Sequence, residues 1–449
     1  MPLIHPPTWL RRPLGRGLVL LVVLVVAAGV GWLALRPSTH RPTVSPAAPP
    51  SASETAAVMQ LLQTHAQALT ERNQVGWDAG LDDSPAAAGY RDQERAVFTN
   101  LADVPLATWR YSLTAPVTDA QVLQTAATRL GGRVVVLHVQ LQYAFAVVDP
   151  APTAKSEYLT AVQRPDGWRL GADDDTSSSA VASWHGPWDF GPLIAAAGPH
   201  TLVLAHPAHR ADIATFQGLV EKSVPVVTSV WGTAWNDQVA VLIPDTDAEF
   251  QAVTGDGADS HDIAAVAVAD SINPDLSVDP RQAVLGARIV LNPANLTRLD
   301  AAGRRLVVQH ELTHIAARAQ TSDQMPTWVI EGFADYVGNL DSGRTVRAIA
   351  PELAAEIDQG TLPTQLPTAA DFDGASTRLP QAYEESWLAC RLIAATIGQH
   401  GLVSFYRAVD TATLTAPATA VSVVLARLLH TTVPGFTARW RTYLQAQFR

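Results

Sequence analysis

The chain carries an H-E-x-x-H sequence at His310, Glu311 and His314, in a segment whose pattern predicts a helix over 305–318. Residues four positions apart lie on one face of a helix, so both imidazoles can bind one metal ion while Glu311 points toward its open side. Two neutral ring nitrogens, a third protein ligand and a water that the metal activates suit a catalytic zinc ion. The motif therefore predicts hydrolytic chemistry and requires a third ligand.

Glu331, which follows His314 by 17 positions, is a suitable third ligand. It lies in a second predicted helix, 327–336, and Pro326 suits the first turn of that helix. Asp335 lies one helical turn after Glu331, where its carboxylate can accept the spare N–H of a ligating histidine and fix its tautomer. One segment thus offers a ligand and a residue that orients another ligand.

These residues resemble the gluzincin metallopeptidases, the superfamily of thermolysin and aminopeptidase N, and in particular the peptidase MA-like domains of bacterial envelope proteins. The resemblance covers residues 184–449 and is most specific over 305–340. It implies that His310, His314 and Glu331 bind one zinc ion per chain. It also implies that Glu311 is the catalytic base and that Asp335 supports the first histidine. The matching positions are His310, Glu311, His314, Glu331, Gly332, Ala334, Asp335 and Tyr336.

A second point of resemblance is the segment 383–386, which is similar to the tyrosine motif of the aminopeptidase N group. The resemblance implies that the Tyr383 phenol stabilises the tetrahedral intermediate of peptide hydrolysis. Glu385 and Ser386 stand where that motif has lysine and glycine. The alternative is that Tyr383 is an ordinary core or surface residue of an amphipathic helix.

The β-prone run 283–292 precedes the metal-binding helix and is a possible substrate cradle. If it is an edge strand, a peptide can bind along it by strand addition. In the aminopeptidases this region carries a glutamate that holds the α-amine of the substrate, whereas 286–289 has no acidic residue. This difference favours an endopeptidase. Alternatively, the run belongs to the core of the sheet, and the substrate-binding residues stay unassigned.

The N-terminal region predicts a membrane anchor. Residues 18–35 are 18 apolar or small residues without a charge, which is long enough to span a bilayer. Arg11, Arg12 and Arg16 precede this segment and favour a cytoplasmic N-terminus, 1–17. We expect an uncleaved signal anchor with the remaining chain outside the cytoplasm of a bacterial cell; cleavage and secretion are the alternative. Residues 36–54, rich in Pro and Ser, read as an extended linker.

Residues 55–175 have a pattern of helices followed by strands. The strand predictions are 109–113, 133–148, 156–163 and 168–170. This order of elements resembles the cone of nuclear transport factor 2-like domains, without a diagnostic motif. Such cones can bind small ligands, but the sequence shows no clustered polar set, which favours a structural or interaction module.

Together these patterns predict an α+β fold. A zincin-type metallopeptidase domain, with a sheet followed by a mostly helical part (184–449), comes after a cone-like α+β domain (55–175) and one transmembrane helix. The net charge of −11 shows no basic footprint, so nucleic acid is not an expected partner.

The function predicted from the sequence is a membrane-anchored zinc metallopeptidase that acts on peptides or proteins. The alternative is an envelope binding or scaffold protein that retains a zinc domain without proteolysis. The intact Glu311 favours the enzyme. The oligomeric state is not encoded in any pattern that we recognise.

Overall fold

The computed structural model describes residues 45–177, 181–255, 263–272 and 279–449. The predicted cytoplasmic N-terminus, the predicted transmembrane segment 18–35 and the first part of the predicted linker lie outside these residues. In the described part of the chain, no single helix is long and apolar enough to cross a membrane. Two helix pairs reach that length together only across sharp bends of 118° and 70°.

The first part of the described chain is a four-stranded antiparallel sheet with helices packed against it. Its strands are hydrogen-bonded in chain order. The elements are α1 (Ala52–Thr70), α2 (Gln74–Ala79), α3 (Ala88–Asn100), β1 (Leu106–Pro116), α4 (Ala120–Leu130), β2 (Val134–Phe145), β3 (Thr153–Arg164) and β4 (Gly167–Ala172).

The predicted order of helices and strands is present in this part, with one addition. Helix α4, between β1 and β2, is absent from the prediction; Asp119 caps its N-terminus, and Gly131, at φ 68°, follows its last residue. A helix of 11 residues between two strands gives only a short amphipathic signal. Asp119 and Gly131 were therefore the more informative signals.

The predicted linker 36–54 ends earlier than expected. Helix α1 begins at Ala52, where Ser51 and Glu54 form a capping box. Before it, the Arg133 guanidinium donates hydrogen bonds to the backbone carbonyls of Ser45, Pro46, Ala48 and Pro49. Residues 45–51 are therefore attached to the folded part through Arg133. Because Arg133 is distant from them in the chain, no local sequence pattern predicts this contact.

The second part is a five-stranded mixed sheet in the order β5-β6-β7-β11-β8, followed by helices. Its elements are β5 (Ile194–Ala197), β6 (Thr201–Ala205), α5 (Arg210–Trp231), β7 (Val239–Ile243), α6 (Asp247–Thr254), β8 (Ala265–Val268), β9 (Ser271–Ile272), β10 (Val284–Leu285) and β11 (Arg288–Leu291). Strands β9 and β10 form a separate two-stranded sheet.

Strand β11 lies inside this sheet, which decides between the two interpretations of the run before the metal-binding helix: it is sheet core and not an edge strand. It pairs in parallel with β7 and antiparallel with β8. All four of its residues are buried. A continuous apolar run is typical of a strand covered on both faces, so the alternative interpretation as sheet core was the better one. Among the described residues, β8 is the last strand on that side of the sheet.

Helices make up the rest of the chain. They are α7 (Pro293–Leu296), α8 (Ala301–Ala317), α9 (Thr327–Gly338), α10 (Val346–Ile349), α11 (Pro351–Asp358), α12 (Leu379–Ile397), α13 (Gln399–Thr413), α14 (Ala420–Leu428) and α15 (Val433–Gln447). The fold is thus a mixed helix and sheet arrangement, in agreement with the predicted α+β class.

The two sheets share a hydrophobic core within one compact unit, Val44–Arg449. Leu137 and Phe145 of β2 belong to the same buried cluster as Leu204 of β6 and Val290 of β11. An ion pair joins the same regions: both terminal nitrogens of Arg288 donate to Asp149, at 2.6 and 2.7 Å. The change of sheet near 176–183 therefore does not separate the cores.

Candidate metal centre

Helix α8 presents His310 and His314 on one face. Asp300 caps the start of the helix by accepting a hydrogen bond from the backbone N–H of Gly303. On the other side, Val308, Leu312 and Ile315 are buried in the main core. Because that apolar side is fixed by packing, the direction of the two imidazoles is fixed too.

Helix α9 brings Glu331 to the same place. The helix begins at Thr327, with Pro326 as the residue before its first turn rather than inside it. Gly332 is required by close packing, because a Cβ atom at this position would overlap the backbone carbonyl of Ser386 in α12. The E-G sequence therefore combines a ligand-type side chain with the small residue that lets α12 approach.

The donor atoms of His310, His314 and Glu331 converge. The two Nε2 atoms are 2.9 Å apart, and the Glu331 Oε2 atom lies 3.3 Å from that of His310 and 3.4 Å from that of His314. Ligands at zinc bond lengths in a tetrahedron are separated by roughly 3.3 Å. In the described part of the chain, this is the one group of three such side chains whose donor atoms all lie within 4.8 Å of one another.

Asp335 orients the first histidine. Its Oδ1 atom lies 2.9 Å from Nδ1 of His310, so the ring donates from Nδ1 and turns the lone pair of Nε2 toward Glu331 and His314. A ligating histidine held in this way has one tautomer and a more basic metal-binding nitrogen. The donor set and its support therefore fit zinc.

The charges around these residues favour a cation at the point of convergence. Burial alone would lower the pKa of His310, but Asp335 and Glu331 outweigh burial and hold this pKa well above its usual value. Burial would raise the pKa of Glu331, but His314 and His310 outweigh it and hold this pKa well below its usual range. A bound metal ion would supply positive charge at the same point.

Glu311 lines the same cavity as the two histidines and strand β8. Its residue is 7% exposed, and burial raises the pKa of its carboxyl group, against the opposing effects of His310, His314 and the Ala267 backbone. A buried carboxylate with a raised pKa is a stronger base than an exposed one, which suits proton transfer.

Tyr383 lies on α12 and faces the same cavity as the metal-ligand residues. Burial raises the pKa of its phenol well above the usual value, with Glu331, Asp335 and Glu311 acting in the same direction. It therefore stays protonated and can donate a hydrogen bond. Its neighbours have other partners: Arg378 donates to Glu385, and the Ser386 hydroxyl donates to the Ala382 carbonyl.

The metal-ligand residues line a cavity of about 400 Å³. Strand β8 contributes Ala265, Val266 and Ala267 to one wall, so the strand beside the site is β8 instead of the predicted run 283–292. Arg318 also lines this cavity. Sequence analysis did not select Arg318, although its position four residues after His314 was a usable signal.

The sequence also missed a cluster of titratable side chains beside the antiparallel sheet. They border a small cavity of about 30 Å³ and are Glu94, Glu157, Asp173, His185 and Asp189. Burial raises the pKa of Glu94 to about 8 and that of Asp173 to about 6. These residues are far apart in the chain, so no local spacing predicted a polar cluster beside the antiparallel sheet.

Comparison with known proteins gives one kind of match. No known family profile matches the chain, and no curated protein matches it. Among solved structures, an M1 zinc metallopeptidase from Deinococcus radiodurans is similar at 14% identity and a TM-score of 0.34. A two-domain M1 zinc metallopeptidase variant bound to L-arginine is similar at 13% identity and the same TM-score of 0.34. In both cases the match covers 64% of this chain and 58% of the other.

These values are too low to assign the chain to a family or to transfer an activity. They do not bear on the proposed likeness of residues 55–175 to nuclear transport factor 2-like domains, for which no support was found. The functional conclusion must therefore come from the residues of this chain.

Proposed function

We propose that this protein is a zinc-dependent peptidase. The observation that carries the proposal is the convergence of His310, His314 and Glu331, with Glu311 beside them in a cavity bordered by strand β8. A zinc ion bound by these three ligands would act as a Lewis acid and would lower the pKa of its coordinated water toward about 7.

Glu311, Tyr383 and Asp335 each have a separate role in the reaction. Glu311 accepts the proton of the attacking water on a carboxylate oxygen and passes it to the amine that leaves. The Tyr383 phenol stays protonated and donates a hydrogen bond to the carbonyl oxygen as negative charge develops there. Asp335 keeps the proton of His310 on Nδ1 throughout.

Strand β8 supports a peptide as the substrate. In the described part of the chain it pairs with β11 on one side and ends the sheet on the other. An extended peptide can hydrogen-bond to such an edge and cross the metal-ligand residues. Peptide addition is thus supported by β8, whereas the run 283–292, the possible cradle in the sequence, belongs to the core of the sheet.

Endopeptidase action is part of the proposal. The residues of β8 are Ala265, Val266, Ala267 and Val268, which offer no carboxylate to a substrate α-amine. The next acidic residue, Asp270, is paired with Lys155 and accepts a hydrogen bond from Thr153. Among the described residues of this edge, none therefore offers a free amino terminus the acidic partner that an aminopeptidase of this group provides.

We also propose that residues 18–35 anchor the protein in a membrane with the peptidase part outside the cytoplasm. The support is the apolar run and the three arginines before it. Protease accessibility in intact cells tests the orientation: digestion of residues 45–449 from outside is expected, and full protection would contradict it.

The test of the catalytic proposal is digestion of a mixed peptide library by the wild type and by Glu311→Gln, with zinc measured in both. Cleavage inside peptides by the wild type alone is expected. If the Gln variant is equally active, Glu311 is not the base. If neither protein cleaves while both hold one zinc per chain, the non-proteolytic binding role replaces the enzyme.

A further inference from the structure

Arg318 extends the metal-binding face of helix α8. It follows His314 by four residues, and its backbone is helical, with φ −52° and ψ −42°, at the end of the helix. Residues at this spacing share one face, so His310, His314 and Arg318 form a row. All three side chains line the same cavity of about 400 Å³.

The Arg318 guanidinium makes no hydrogen bond or ion pair with any described residue. Two other arginines of α8 are engaged: Arg304 donates to Asp212 at 2.9 Å, and Arg305 donates to the Leu340 carbonyl. An arginine near the end of a helix commonly donates to the last carbonyls of that helix. Arg318 does not do so, although it is only partly exposed.

The other residues of the cavity wall indicate what kind of group the Arg318 guanidinium can bind. Beside the residues that bind or act at the metal, the described residues that line it with Arg318 are apolar or neutral, among them Ile263, Ala265 and Ile330. Glu331 is held between the two histidines. A planar guanidinium that has no partner among the described residues, beside neutral neighbours in that part of the wall, is suited to bind a carboxylate through two parallel hydrogen bonds.

A peptide that binds along strand β8 would share a cavity with the Arg318 guanidinium. Ile263, just before β8, and Ala265, its first residue, line the same cavity as Arg318. A peptide added along β8 would therefore enter the cavity that Arg318 lines together with the metal-ligand residues.

We propose that Arg318 binds a carboxylate of the substrate, and that the site thus prefers peptides with an acidic group near the bond that is cleaved. This inference rests on the proposed peptidase function. The carboxylate is either an Asp or Glu side chain or the free C-terminus of the peptide. Both present the same group, and the experiment below separates them.

The test uses the full-length zinc-loaded protein and one neutral peptide series. One position at a time is Glu, Gln or Lys, and each peptide is made with a free and with an amidated C-terminus. The wild type is expected to favour the carboxylate in kcat/KM by roughly 10- to 100-fold, as for a hydrogen bond between charged groups. A preference that follows Glu identifies the side chain, and one lost on amidation identifies the C-terminus.

The variants decide whether Arg318 is responsible. Arg318→Ala is expected to abolish the preference, read as the ratio of kcat/KM between the carboxylate and the neutral peptide of each pair, and Arg318→Lys to keep part of it. Arg427→Ala is a matched control, because Arg427 also lies in the last turn of a helix and is exposed. An undiminished preference in Arg318→Ala would overturn the inference.

A binding measurement separates this inference from the peptidase proposal. Fluorescence anisotropy of the same peptides is measured with Glu311→Gln and with the double variant that adds Arg318→Ala. Tighter binding of the carboxylate peptides to the single variant is expected, whether or not the wild type cleaves them. Equal binding to both variants would contradict a role for Arg318 even if cleavage is observed.

Discussion

At the scale of single residues, the site depends on contacts between side chains of α8 and α9, and the sequence predicted these contacts. The interval from His310 to Asp335 is 25 residues, yet Nδ1 and Oδ1 meet at 2.9 Å. Helical periodicity explains why this contact could be predicted. It determines which residues of α8 and α9 share a face, and this limits how the two helices can pack against each other. The convergence of His310, His314, Glu331 and Asp335 could therefore be predicted from the chain alone, while their roles at a metal stay a proposal.

Replacing Asp335 by Asn tests the orienting contact. The amide cannot hold the Nδ1 proton of His310 as the carboxylate does, so we expect zinc affinity to fall by roughly 10- to 100-fold. Competition with a chromogenic chelator measures this affinity. Asp323→Asn is the control, because Asp323 is exposed on the loop before α9. Unchanged affinity in Asp335→Asn would show that the contact does not support the metal.

Glu94 is the residue that the sequence could not identify. Its Oε2 atom lies 3.3 Å from Nε2 of the buried His65. Burial raises the pKa of Glu94 to about 8 and lowers the pKa of His65 to about 3. The pair is therefore neutral near pH 7, and we infer that the carboxylic acid donates to the imidazole. Asp189 acts further to raise the pKa of Glu94.

The pH dependence of stability follows from that pKa. Because the folded-state pKa of about 8 exceeds the usual Glu pKa of 4.5, the contribution of Glu94 to stability is complete below pH 4.5 and is lost as the pH rises through 8. Glu94→Gln does not titrate and can still donate to His65. Its free energy of unfolding relative to the wild type is expected to increase from pH 5 to 8, by up to about 1.4 kcal/mol per pH unit.

Urea denaturation at several pH values measures this difference. Asp92→Asn, an exposed change on the same helix α3, serves as the control and should follow the wild type. A constant difference between Glu94→Gln and the wild type across this range would mean that Glu94 is already ionised in the folded protein.

At the scale of elements, the helices were predicted better than the sheet. The expected helices at 305–318 and 327–336 correspond to α8 and α9, because their apolar period and turn residues are local signals. The position of β11 in the sheet stayed open between edge and core, since strand order depends on contacts between distant segments. Likewise, the role of β8 in the site follows from its pairing with β11, which four-residue runs do not reveal.

Gly332 shows how an element is positioned by one small residue. Gly332→Ala would push α9 away from the backbone of α12 at Ser386, and we expect it to lower the free energy of unfolding by about 1–3 kcal/mol. Gly218→Ala is the matched control in helix α5, where the added methyl group meets no atom within 4 Å. This control is expected to stabilise the protein by roughly 0.5–1 kcal/mol.

Thermal and urea unfolding measure both glycine variants. If Gly332→Ala is as stable as Gly218→Ala, the close approach of α9 and α12 is not a requirement of the fold.

At the scale of the whole molecule, the two sheets form one core around a buried ion pair. The Arg288 and Asp149 side chains are 4% and 1% exposed. They are 139 positions apart, so no motif connected them. Arg288 is also stacked against the Phe145 ring, at 4.8 Å from its centroid.

Removal of one partner of this pair is expected to leave a buried charge. Asp149→Ala should lower the free energy of unfolding by roughly 3–5 kcal/mol. Because the core is shared, the loss should affect one cooperative transition that includes both sheets. Asp358→Ala is the control, since Asp358 pairs with Arg347 on the surface and should change stability little. Two separate transitions in the wild type would contradict the shared core.

The central claim is that His310, His314 and Glu331 together bind one zinc ion. The most direct measurement is zinc titration of the purified protein, read as metal bound per chain, for the wild type and Glu331→Gln. One tightly bound zinc in the wild type, with affinity reduced at least tenfold in the variant, is the predicted result. Equal zinc affinity in both proteins, or no zinc bound by the wild type, would contradict the claim.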